Sequence, residues 1–208
     1  MEVVVDGNTG MMTPDEGTTL KATLEALRRT ISSRRRVIVS FTLDGEKIDS
    51  DNLGARADQA PGQFGLLEVK TADPFQFSVG TLTGLLTHLK NMEKSQEEAL
   101  AFAAAGEYAK TLDKAEASFY GWDILLRAVR DVGTLSTADL KLLDAGGVSV
   151  EGRIKELQDS LLRFSAALEF KDVARIAELI DQEFRVRLRD WRTVVESLGR
   201  HVARTSSS

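Results

Sequence analysis

Cysteine is missing from this chain, which removes disulfides, thiolate metal sites and cysteine nucleophiles together and suits a reducing compartment. Proline is nearly as scarce, with three in the chain and none beyond Pro74, so the longer second part is free to form uninterrupted helices. Positive charge is not in excess either. The 208 residues carry a net charge of -5, against the basic face that a protein coating nucleic acid needs to displace counterions. Nucleic acid is therefore a disfavoured partner. No stretch approaches the roughly 20 apolar residues of a membrane span. Residues Met1 to Gly7 lack the basic start and apolar core of a secretion signal, so a cytoplasmic location is expected.

Catalytic signatures are missing as well. No Gly-x-Ser-x-Gly elbow, no Gly-x-Gly-x-x-Gly after the opening strand and no Walker sequence is present. A carboxylate-bridged metal pair in a helical protein needs Glu three residues before His, and Leu occupies that position before both His88 and His201. Gly146-Gly147 lacks the flanking strand and Lys-Ser/Thr of a phosphate cradle and reads as a turn. The carboxylates Glu93, Glu97, Glu98, Glu178, Asp181 and Glu183 read as charges on outer helix faces. No catalytic residue, cofactor-binding residue, metal ligand or cofactor is assigned.

What is present is 42% hydrophobic residues, enough for a packed core in one large or two small domains, and their spacing changes at Asp73-Pro74. Before it, Glu2 to Val5 is a β-branched run ended by Asp6-Gly7-Asn8, predicting a hairpin that returns through Met11 to Thr13. Thr18 or Thr19 can cap a helix whose Leu20, Leu24, Leu27 and Ile31 share one face. Val37 to Leu43 is the best strand pattern, closed by Asp44-Gly45. A loop through Asp49, Asn52, Gly54 and Pro61-Gly62 is expected next, then a strand from Gly65 to Lys70.

Strand, strand, helix, strand, loop, strand in about 70 residues resembles the ubiquitin-like β-grasp fold, over residues 1–72 only. The resemblance implies a sheet covered by one helix, whose face and edges can receive another chain. Sulfur carriers and modifiers of that family end in a free Gly-Gly carboxylate. Here the last strand runs on into Thr71-Ala72-Asp73-Pro74, so a conjugation role is disfavoured.

Residues 75–203 predict an elongated antiparallel four-helix bundle, with residues 204–208 as a disordered tail. Leu82, Leu85, Leu86, Leu89, Met92 and Phe102 mark a first helix, stopped at Gly106. Tyr108, Leu112, Ala115, Phe119, Trp122, Leu126 and Val129 mark a second, by alternating steps of four and three. Gly121 inside it implies either close approach of a neighbour or a kink. Ser136 through Asp139 has the form of a capping box opening a short helix to about Asp144. Ser149 can cap a third long helix through Ile154, Leu157, Leu161, Phe164 and Leu168. Ala177, Ile180, Phe184, Leu188, Trp191, Val195 and Leu198 mark a fourth. The expected fold class is thus α+β.

Two groups of arginine stand out. Arg185, Arg187, Arg189, Arg192, Arg200 and Arg204 are spread around the last helix. Arg28, Arg29, Arg34, Arg35 and Arg36 are concentrated near the end of the first helix, and form the candidate partner-binding site for an acidic segment. The expected function is a non-enzymatic protein-binding adaptor, chaperone-like escort or assembly subunit. A homodimer is an alternative use of any spare apolar stripe. The competing expectation is an enzyme or small-ligand binder with a site near Arg56, Gln63, Phe75 and Phe77, where the two domains join.

Overall fold

The structure, a computed structural model, describes residues 1–15, 17–48 and 50–205, with the backbone alone at 50–52. It is an α+β protein in which a small mixed sheet is followed by helices. The chain divides into two compact units, Met1–Phe77 and Ser78–Ser208.

The first unit holds strands β1 (Glu2–Val5), β2 (Asn8–Thr9), β3 (Val37–Leu43), β4 (Glu46–Ile48) and β5 (Leu66–Ala72), with helices α1 (Leu20–Ser33) and α2 (Ser50–Arg56). The five strands lie in the order β2-β1-β5-β3-β4. β1 runs parallel to β5, and every other pair is antiparallel. Register Val3↔Leu67, Val5↔Val69, Phe41↔Val69 and Leu43↔Leu67 puts these six side chains on one face. All are buried, together with Leu20, Leu24, Leu27 and Ile31 of α1, each contributing roughly 1.5–3 kcal/mol of apolar burial. Thr19 caps α1 by accepting the Ala22 N–H at its hydroxyl.

Two expectations fail in this unit, and one strand, β4, is not among those expected. The first hairpin returns through Asn8–Thr9 instead of Met11 to Thr13, because Asp6 (φ 51°) and Gly7 (φ 82°) make a two-residue turn that pairs Val5 with Asn8 at once. Asp44 (φ 50°) and Gly45 (φ 84°) repeat that turn, so β3 also closes a hairpin, with β4. The expected loop is then a helix over Ser50–Arg56, too short for its periodicity to register; Asp49 lies outside the described residues.

The remaining helices are α3 (Pro74–Ala104), α4 (Tyr108–Leu135), α5 (Val150–Glu169), α6 (Val173–Leu179) and α7 (Arg185–Thr205), with a π-helical turn over Ile180–Phe184 joining the last two. Arg204 and Thr205 belong to α7, and 206–208 lie outside the described residues. The core of the second unit is aromatic. Trp122 meets Trp191 edge-on at 6.3 Å and Phe184 at 5.7 Å, while Phe164 lies 4.8 Å from Phe184. Met92 of α3 fills the space beside Gly121, where a Cβ would sit 2.9 Å from Met92 Cγ. The glycine therefore serves close helix approach.

Leu86 and Tyr108, expected in the seams, are exposed, and Ile176 and Leu179, not expected there, are buried. The helix expected from Ser136 to Asp144 does not form. Ser136 ends α4, its hydroxyl donating back to Val132 O at 2.7 Å, and Thr137 adopts φ 53°. The Ser136 hydroxyl thus turns back onto α4, and no hydrogen bond from a following backbone N–H to it is found among the described residues. Residues 138–149 instead form turns around an isolated Asp144↔Ser149 bridge, and the Ser149 hydroxyl caps α5. No helix is long and apolar enough to cross a membrane, among the described residues.

Candidate functional site

The end of α1 concentrates cations because of how the helix stops. The Arg34 N–H bonds to Ile31 O, the Arg35 N–H to Ser32 O, and the Arg36 N–H to Ile31 O at 3.3 Å. Arg35 takes the left-handed position (φ 55°) where glycine is usual. That reversal fans Arg34, Arg35 and Arg36 outward, one turn beyond Arg28 and Arg29; all five are exposed.

Their partners differ. Arg36 donates to the Thr71 hydroxyl at 2.5 Å and to Asp6 Oδ2 at 3.4 Å. It therefore ties the start of β3 to the first turn and to β5, and acts as part of the scaffold. Arg28 lies 5.9 Å from the centre of the Phe41 ring, a cation–π arrangement, and Arg29 donates to the Glu25 backbone carbonyl. No carboxylate pairs with Arg28, Arg29, Arg34 or Arg35 among the described residues.

A cleft of about 410 Å³ opens beside this group, walled by Arg28, Ile31 and Ser32 of α1, the Val37 to Phe41 stretch of β3, and Lys47 and Ile48 of β4. Among the described residues no acidic side chain lines it. The cleft can hold an anion by Coulomb attraction, and its described residues include no paired acid and base that would move a proton.

The second arginine group is matched in part, since Arg189 and Arg200 have no carboxylate partner among the described residues. Arg185 pairs with Asp181 at 2.6 Å, Arg187 with Glu156 at 2.7 Å, and Arg192 with Glu93 at 2.6 Å. The carboxylates weighed from the sequence are largely accounted for by these and similar pairs, Glu98 with Lys114, Glu178 with Arg175 and Glu183 with Arg163. The Arg163 guanidinium and the Ser160 hydroxyl hold the Glu183 carboxyl below its ordinary range, against some burial. His88 donates from Nε2 to Gly121 O at 2.9 Å, and His201 to Ser136 O at 3.1 Å, which makes both of them links between chain segments. Groups of His, Asp and Glu that could hold a metal ion are not found among the described residues.

Of the residues named for the competing expectation, Arg56 donates to Glu46 at 2.7 Å, and Gln63 ends a single 3-10 turn. A groove of about 810 Å³ in the helical unit is lined by Leu100, Ala103, Tyr108, Leu112, Val173 and Ala177, and Lys171 and Asp172 are its charged groups. It offers apolar surface and no convergent ionisable set. Comparison with known proteins found no matching family model, curated protein or solved structure.

Proposed function

We propose that this chain is a non-enzymatic protein-binding adaptor, an escort or assembly subunit, whose sheet unit captures an acidic segment of another protein. The observation that carries the reading is charge compensation. Arg185, Arg187 and Arg192 of the helical unit are met by carboxylates, whereas Arg28, Arg29, Arg34 and Arg35, clustered within eight residues of sequence, stand exposed without one among the described residues. In a chain of net charge -5 such a patch offers an acidic segment local attraction against the overall repulsion.

The architecture suits the role. A β-grasp head is supported by parallel strands β1 and β5 at the centre, a hairpin to either side and one long helix on the apolar face. A four-helix bundle is supported by α3, α4, α5 and the α6 to α7 run, whose apolar ridges bury Leu89, Trp122, Phe164 and Trp191. The continuation of β5 into Thr71 and Ala72 and then α3 argues against a carrier that presents its terminus.

The test is binding of a fluorescein-labelled oligoglutamate peptide to the full chain and to the triple variant Arg28→Glu, Arg34→Glu, Arg35→Glu, which leaves Arg36 in its structural role. The expected result is salt-sensitive binding that weakens about tenfold or more in the variant, with an unchanged circular-dichroism melt. Equal binding by both proteins overturns the proposal. Tighter binding of a DNA duplex than of the peptide would transfer the patch to nucleic acid.

A further inference from the structure

Strand β3 is paired from end to end, apart from Val39, on one side only. On the inner side β5 covers it from Val37↔Ala72 to Leu43↔Leu67. On the outer side β4 covers only Phe41, Thr42 and Leu43. Val37 to Ser40 therefore presents an outer edge that no strand pairs with among the described residues, and this stretch forms one wall of the cationic cleft. Backbone N–H and C=O groups on such an edge are a template for another extended chain.

We propose that the acidic partner enters as a short extended strand, adding to β3 along Val37 to Ser40 in line with β4, with β-branched side chains at its centre and carboxylates at its ends. This rests on the acidic-capture reading above and specifies its mode. Four residues of strand span about 13 Å. Across that distance the partner lies beside β3 at the mouth of the cleft, with the half-buried Val37 and Ile38 available to apolar side chains and Arg28 and Lys47 to carboxylates.

Two observations select this occupant over a second copy of the chain. First, the β3–β5 register slips between Ile38 and Ser40, leaving Val39 46% exposed. A bulge of this kind twists an edge away from long sheet-to-sheet pairing and still accepts a short segment. Second, a two-fold contact sets a patch against itself. Arg28 and Lys47 would then face their own copies, with no carboxylate among the described residues of the cleft to separate them.

The experiment measures binding to the full chain of a labelled octapeptide with two glutamates at each end and four central valines. A matched peptide carries N-methyl groups on alternate valines, which removes strand hydrogen bonds without changing charge. The proteins are wild type and the Arg28→Glu, Lys47→Glu variant. Strand addition is expected to appear as binding weakened about tenfold or more by N-methylation and, separately, by charge reversal. Equal binding of the methylated and unmethylated peptides, still lost on charge reversal, overturns strand addition and leaves acidic capture standing. Binding indifferent to charge reversal, or no binding of any acidic peptide, overturns both. A dimer in sedimentation that the valine peptide dissociates would give the edge to a second copy and overturn the choice of occupant.

Discussion

Thr71 donates its backbone N–H to Asp6 Oδ1 at 2.7 Å and its hydroxyl to Asp6 Oδ2 at 2.5 Å, fastening the first hairpin turn to the end of β5. Asp44, in the other hairpin turn, does the same at the start of β5, accepting the N–H groups of Gly65 and Leu66 at 2.9 and 2.7 Å. Each Asp-Gly turn therefore has two tasks. It reverses the chain, and its carboxylate anchors the central strand.

Those bonds make the sheet unit sensitive to acid. Hydrogen bonds from the Thr71 side chain and backbone, with the Arg36 charge adding, hold the Asp6 carboxyl below the ordinary value of 3.8. A depressed folded-state pKa means that this contribution is complete above 3.8 and is lost as pH falls through the lowered value. Asp6→Asn is expected to cost about 1 kcal/mol at neutral pH, modest because the pair is well exposed, and to remove this part of the acid dependence. Urea titrations across the acid range check it; an identical acid slope in the variant would count against the clamp.

Glycine substitutions should separate conformational cost from packing. A Cβ on Gly45 meets nothing within 4 Å, but φ is 84°, so Gly45→Ala should destabilise by about 1 kcal/mol through backbone strain alone. Gly84, inside α3, also meets nothing and has no such strain, so Gly84→Ala should stabilise by about 0.5–1 kcal/mol. Thermal melts of the two variants should move in opposite directions.

Gly121→Ala tests the close approach of α3 and α4. The new methyl would meet Met92 Cγ at 2.9 Å, an overpacking cost of about 1–3 kcal/mol that the better helix propensity of alanine offsets only in part. In a Met92→Ala background the clash is gone and the same substitution should stabilise. A double-mutant cycle reads the difference, and additive effects would mean that the two residues do not meet.

The π turn behaves as an inserted residue. Deleting exposed Gln182 from Ile180–Phe184 should restore a regular helix and keep both flanking faces in register, at a cost of about 1–2 kcal/mol. Deleting exposed Gln158 in α5 should rotate everything after it by about 100° relative to what precedes it and prevent folding. Denaturant titration of the two deletions distinguishes them, and equal damage would deny the π turn its role as an insertion.

That turn was legible in the residues, though only in hindsight. Ile176, Ile180, Phe184 and Leu188 advance by steps of four, each drifting about 40° around a 3.6-residue helix, and all four are buried. Only a local widening keeps them on one face. The short helix α2 and the two-residue strand β2 left no comparable trace, because neither is long enough for a period to accumulate. In the candidate site, the clustering of arginines near residues 28–36 is plain from the sequence. Arg36 as a tie to Asp6 and Thr71 is not, since its partners lie 30 and 35 positions away.

Periodicity and turn chemistry along the chain determined most of the longer elements, their caps at Thr19 and Ser149 and much of the burial within them, because these depend on neighbours within a few positions. Which cations are matched, why Gly121 is needed and where β3 is left half paired were decided only when distant segments met. Met92 beside Gly121, Asp6 beside Arg36 and the early end of β4 are contacts between segments, and no local pattern encodes them.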